Sequence, residues 1–95
     1  MAKFGEIIQS AYPTLIDFYK EDDDVMNNIL RDVAAALGDK ARVIKINIKK
    51  NNELVEALRV KGSPTYIIYK NGEMKWRQSG EQDANTLINL VEQFV

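Results

Sequence analysis

Residues 14 to 28 read Thr14-Leu-Ile-Asp-Phe-Tyr-Lys-Glu-Asp-Asp-Asp-Val-Met-Asn-Asn28. The first part, Thr14 to Tyr19, is an apolar run broken only by Asp17. Its β-branched and aromatic content predicts a buried strand covered on both faces. The acidic run Glu21 to Asp24 follows. Val25, Met26, Ile29, Leu30, Val33, Ala34 and Leu37 then recur at the spacing of one apolar helix face, about three to four turns long. Gly38 stands where a C-terminal cap belongs. The next apolar stretch, Val43-Ile-Lys-Ile-Asn-Ile48, reads as a second strand. A strand, a crossover helix and a strand imply parallel pairing with a right-handed connection.

The elements on either side extend this unit. Upstream, Phe4, Ile7, Ile8 and Ala11 follow helical spacing up to Pro13. Downstream, Asn51 to Val60 reads as a helix capped by Asn51 or Asn52, with Leu54, Ala57 and Leu58 on one face and Gly62 after its end. Thr65-Tyr-Ile-Ile-Tyr-Lys70 and Glu73-Met-Lys-Trp-Arg-Gln78 flank Asn71-Gly72, a pair that tolerates the positive φ values of a type I′ turn, and so form a hairpin. Asp83 begins a last helix, with Leu87, Leu90, Val91 and Phe94 on one face. The order is α-β-α-β-α-β-β-α. The expectation is an α/β domain over residues 1–95, with a four-stranded mixed sheet and helices on both faces.

Composition narrows the function. The chain is 45% apolar and 28% charged, an ordinary globular balance with enough apolar content for a small core. A net charge of −1 argues against general attraction to nucleic acid or anionic membranes. There is no cysteine and no histidine, so thiolate chemistry, disulfides and the commonest general base and metal ligand are all missing. Met1 to Ile8 has no apolar core of a signal peptide, and no run approaches the ~20 apolar residues of a membrane span. A cytoplasmic location follows as the expectation, with no cofactor, no nucleic-acid partner and no membrane partner.

Several stretches resemble the thioredoxin family. Asp17-Phe18-Tyr19 resembles its Asp-Phe-Trp, and Lys45-Ile-Asn-Ile48 its central strand. Gly62-Ser63-Pro64-Thr65 resembles Gly-Ile-Pro-Thr, Lys70-Asn-Gly-Glu73 the hairpin turn, and Gly80 the glycine after the last strand. The resemblance covers nearly the whole chain and implies the thioredoxin fold, without the extra N-terminal strand of full-length members. It also implies a cis Ser63–Pro64 bond beside a groove where the family pairs with extended substrate segments. The departure is local. Trp-Cys-Gly-Pro-Cys has no counterpart, and the chain is a few residues shorter there. With the gap placed after the turn, the two thiol positions fall on Asp23 and Met26. The disulfide oxidoreductase activity does not carry over.

These residues give the site expectations. The Glu21–Asp24 acids have oxygen ligands of the kind that hold Ca²⁺ or Mg²⁺, but not in EF-hand spacing. Capping of the following helix is the favoured reading, with no metal. Asp17 lies inside a covered strand and needs a partner, and Lys45 on the neighbouring strand is the expected one. Ser63 in place of a larger apolar residue widens the groove and makes it more polar. The expected site is a partner groove formed by Tyr19, Asp22, Asp23, Asp24, Ser63, Pro64, Thr65 and Gly80, with an acidic rim that selects basic or polar partners. The expected function is a redox-inactive, non-catalytic protein- or peptide-binding module, monomeric or weakly dimeric. The alternatives are an accessory role in redox homeostasis with a partner's cysteines, and a structural dimerisation domain.

Overall fold

A computed structural model describes residues 3–95. The elements are α1 (Phe4–Ile7), β1 (Thr14–Tyr19), α2 (Asp24–Leu37), β2 (Arg42–Asn47), α3 (Asn52–Leu58), β3 (Thr65–Lys70), β4 (Glu73–Ser79) and α4 (Ala84–Glu92), with a 3₁₀ turn at Gly38–Lys40. The sheet order is β2-β1-β3-β4. β1 runs parallel to β2 and antiparallel to β3, and β3 pairs antiparallel with β4. The mixed sheet and the element order agree with the pattern in the sequence.

Strand alternation splits the core between the two faces. Leu15, Tyr66 and Ile68 pack with Leu30, Val33 and Leu37 of α2 and Leu87 and Val91 of α4. Ile16, Phe18, Ile67 and Tyr69 face the other way, against Ile8, Val60 and the half-buried Phe4, Leu54, Val55 and Leu58 of the α1 and α3 side. β1 and β3 are therefore buried on both faces, which is why neither shows an apolar–polar alternation.

Three local features differ from the sequence pattern. α1 is a single turn rather than a helix reaching Ala11, because the carbonyls of Ile8 and Ser10 accept from the N–H groups of Gly72 and Asn71 in the hairpin turn, both at 2.9 Å. Asn51 sits at the N-cap of α3, but its side chain caps nothing there and donates to the Asn47 carbonyl at 2.8 Å. α3 ends at Leu58, not Val60. Arg59 takes the left-handed conformation, φ 56°, while Val60 N–H donates to the Val55 carbonyl at 3.0 Å, closing a Schellman-type end. The Arg77 guanidinium of β4 donates to the carbonyls of Leu58 and Arg59 and satisfies that helix end. Asn71 and Gly72 adopt φ 54° and 80° in the hairpin, as a type I′ turn requires. A bulge between Ile68 and Tyr69 leaves Lys75 without a register partner in β3. Among the described residues, no helix is long and apolar enough to cross a membrane.

Candidate functional site

A groove of about 640 Å³ opens where the β1–α2 connection, the turn before β3 and the β4–α4 connection meet. Tyr19, Val25, Met26, Ile29, Pro64 and Tyr66 give it an apolar floor and sides. Glu21, Asp23, Glu81 and Asp83 bring carboxylates to it, with Lys20 as the cation of its lining. Each element contributes for a local reason. Asp23 is the N-cap of α2, and its Oδ1 accepts from Met26 N–H at 2.7 Å, which fixes the first helical turn against the groove. Asp83 caps α4 in the same way, accepting from Thr86 N–H at 2.7 Å, and this bond holds its carboxyl below the ordinary range. The Ser63–Pro64 peptide is cis. Ser63 Oγ accepts from Lys20 N–H at 3.0 Å, which joins the turn before β3 to the end of β1. Gly80, at φ 102°, donates its N–H to the Pro64 carbonyl at 2.8 Å and turns the chain from β4 toward Glu81.

Of the residues expected at the groove, Tyr19, Asp23, Ser63 and Pro64 line it. Thr65 does not: it is fully buried, and its hydroxyl donates to the Gly62 carbonyl at 2.7 Å and lies 3.0 Å from Ser79 Oγ. Asp22 turns away from the groove to Lys45 and Asn27. Asp24 stands exposed in the first turn of α2, and Gly80 acts through the path it gives the chain. Reading the sequence alone missed Glu81, Gln82 and Asp83, and also Val25, Met26, Ile29 and Tyr66. The available signal was the apolar face of α2, which begins one turn before the core does: Val25 is 70% exposed, whereas Leu30 is 7% exposed.

The expected ion pair between Asp17 and Lys45 is not formed. The two residues are register partners, but the Lys45 ammonium lies 3.1 Å from Asp22 Oδ2 and 2.9 Å from Asn27 Oδ1. It also sits 5.5 Å above the Tyr19 ring. An ammonium at the surface keeps its hydration there and would lose it on reaching a buried carboxylate. Asp17 is 0% exposed, and neither of its carboxylate oxygens has a hydrogen-bond partner among the described residues. Burial, and then the negative charge of Asp23, push its pKa up to about 7 against the opposing charge of Lys45. Its register partner on the other side is Tyr66, whose hydroxyl is pushed up to about 12 by burial and by the charges of Asp17 and Glu81. Asp17 is not itself part of the groove lining, but its register partner Tyr66 and the nearby Asp23 both are.

Two further acids are ion-paired: Glu21 with Lys49 at 3.2 Å, and Asp22 with Lys45 at 3.1 Å. Among the described residues, no three metal-ligating side chains converge. Asp23 is the N-cap of α2 and Met26 lies three residues on, and neither carries sulfur in a form that exchanges with disulfides.

The model of the thioredoxin family matches residues 1–93. The chain belongs to the thioredoxin family. It is similar to thioredoxin Y, chloroplastic, of Oryza sativa subsp. japonica, at 36% identity over 95 residues, which covers 96% of this chain and 56% of that protein. It is similar to a thioredoxin of Rickettsia prowazekii (strain Madrid E) at 28% identity, with 96% of this chain and 90% of that one covered. The chain therefore spans little more than half the length of the rice thioredoxin and nearly all of the rickettsial one. Among solved structures it resembles the germline-specific thioredoxin Deadhead of Drosophila melanogaster, with a TM-score of 0.78 at 25% identity, over 90% of this chain and 83% of that chain. Chloroplastic thioredoxin z gives a TM-score of 0.77 at 23% identity, with 88% and 79% covered, a likeness of fold. This thioredoxin-family chain has no cysteine.

Proposed function

We propose that this domain is a redox-inactive binding module that holds an extended protein or peptide segment in the groove beside Ser63–Pro64. The observation that carries the reading is a formed groove with an apolar floor around a helix start that has no thiol. Thiol–disulfide exchange needs a thiolate, so the domain supplies binding surface without the reaction. Ser63 precedes the sheet ladder, whose first pairs in β3 are Phe18 with Thr65 and Thr65 with Ser79. Its backbone stands at the groove edge, where an added strand would dock. A groove of about 640 Å³ with an apolar floor and a polar, mainly acidic rim has the concave form of a ligand site. In this reading the protein acts in the cytoplasm; the rice relative is named as chloroplastic, and fractionation of the source cell decides between the two compartments.

The test compares capture from source-cell lysate by wild type and by Ser63→Trp, a neutral change at an exposed position that covers the groove. Val25→Gln, at a second exposed position of the groove lining, serves as an independent variant. A protein retained by wild type and lost by both folded variants supports the reading. Equal capture by all three moves the interface elsewhere. Acceleration of insulin reduction by dithiothreitol in the presence of the protein would contradict redox inactivity.

A further inference from the structure

We infer that the occupant of this groove is an extended peptide segment carrying a lysine or arginine beside an apolar side chain. The inference rests on the reading of the groove as a peptide site and adds the chemistry of the segment.

Two features of the groove select for opposite things at once. Its floor is hydrocarbon, with Val25 70% exposed at the mouth and Met26, Ile29 and Pro64 behind it. Its edge is acidic. Among the described residues, Asp23, Glu81 and Asp83 have no ion-pair partner, while Glu21 is engaged by Lys49. The net charge of the chain is −1, so this edge is a local concentration of negative charge rather than a sample of an acidic protein. A bare metal ion does not fit, because among the described residues no three ligands converge and a metal has no use for an apolar floor. A Lys or Arg side chain does fit: its methylene stem covers apolar surface while its charged end reaches the carboxylates. An apolar neighbour in the same segment fills the space over Val25 and Met26. An acidic segment would meet four carboxylates against the one ammonium of Lys20.

Asp17 gives a second, independent observation. This buried carboxylate has no hydrogen-bond partner among the described residues, and its register partner Tyr66 lines the groove. It is flanked by Lys45 on β2, Tyr66 on β3 and Asp23 at the start of α2. When ionised, it adds negative charge next to two residues of the groove lining, Tyr66 and Asp23.

A library of random decapeptides displayed on phage is panned on wild type and counter-selected on Ser63→Trp, whose charge is unchanged. The expected result is enrichment of Lys or Arg next to Leu, Ile, Val, Met or an aromatic residue. An enriched peptide is expected to bind Glu81→Lys about tenfold more weakly than wild type, since the change removes one attraction and adds one repulsion. Its affinity for wild type also falls as salt rises. Groove-dependent peptides that show no basic enrichment, or that bind Glu81→Lys as well as wild type, overturn the inference and leave the peptide-site reading intact. Failure to enrich any peptide on wild type over Ser63→Trp overturns both.

Discussion

Replacing Asp17 by asparagine is expected to stabilise the protein at high pH and to leave it nearly unchanged in acid. Asp17 is 0% exposed, and both carboxylate oxygens lack hydrogen-bond partners among the described residues. Burial and the charge of Asp23 raise its pKa from 3.8 to about 7. A carboxyl whose folded pKa lies above its unfolded value contributes stability below the unfolded value, and that contribution is lost as pH rises through the folded one. The interval from 3.8 to about 7 corresponds to roughly 4 kcal/mol at 1.36 kcal/mol per pH unit. Asparagine keeps the shape and never ionises. The variant's advantage over wild type is therefore expected to be near zero at the unfolded pKa, roughly 1.5 kcal/mol at pH 5, and roughly 4 kcal/mol at pH 8. That is a large share of a typical domain stability of about 5–15 kcal/mol. Asp22, Glu73 and Asp83 are held below their ordinary values and act in the opposite sense, but they are common to both proteins and cancel in the difference. Urea unfolding at pH 5, 6.5 and 8, followed by the fluorescence of Trp76, gives the numbers. A pH-independent difference, or a wild type that gains on the variant as pH rises, would refute the argument and imply an ionised, well-paired Asp17.

Three further predictions concern single interactions. Asp23→Ala removes the cap of α2 and is expected to cost about 1 kcal/mol, read as a lower urea midpoint with an unchanged slope. Arg59→Gly relieves a left-handed non-glycine residue at φ 56° while leaving the carbonyls held by Arg77 in place; a gain of about 0.5–1 kcal/mol is expected from the same assay. Asp22→Asn breaks the exposed pair with Lys45 and is expected to leave the urea midpoint nearly unchanged, with any small effect shrinking at high salt; a clear, salt-independent drop would show that the pair is structural.

The frame of the fold was legible because its signals are local. The β1 run, the Asn71-Gly72 turn and the periodicity of α2 each depend on neighbours in the chain, and all three recur in the structure. The site was legible only in part. Thr65 was expected at the groove because it belongs to the Gly62–Thr65 stretch that resembles the family's groove motif, but β3 is buried on both faces, so the sequence carries no alternation to say which way Thr65 turns. Glu81 and Asp83 come to the groove through the Gly80 bend, a tertiary effect that leaves no periodic trace. Asp17 and Lys45 are register neighbours as expected, yet the pair does not form, because the Lys45 ammonium stays at the surface on Asp22 and Asn27, where it keeps part of its hydration.

Amide chemical-shift mapping with a groove-selected peptide tests the central claim most directly. Shifts concentrated at Tyr19–Ile29, Ser63–Tyr66 and Glu81–Asp83, and abolished by Ser63→Trp, are the predicted result. Shifts concentrated instead on the exposed edge of β2 or on α3, with the groove unchanged, would contradict the account.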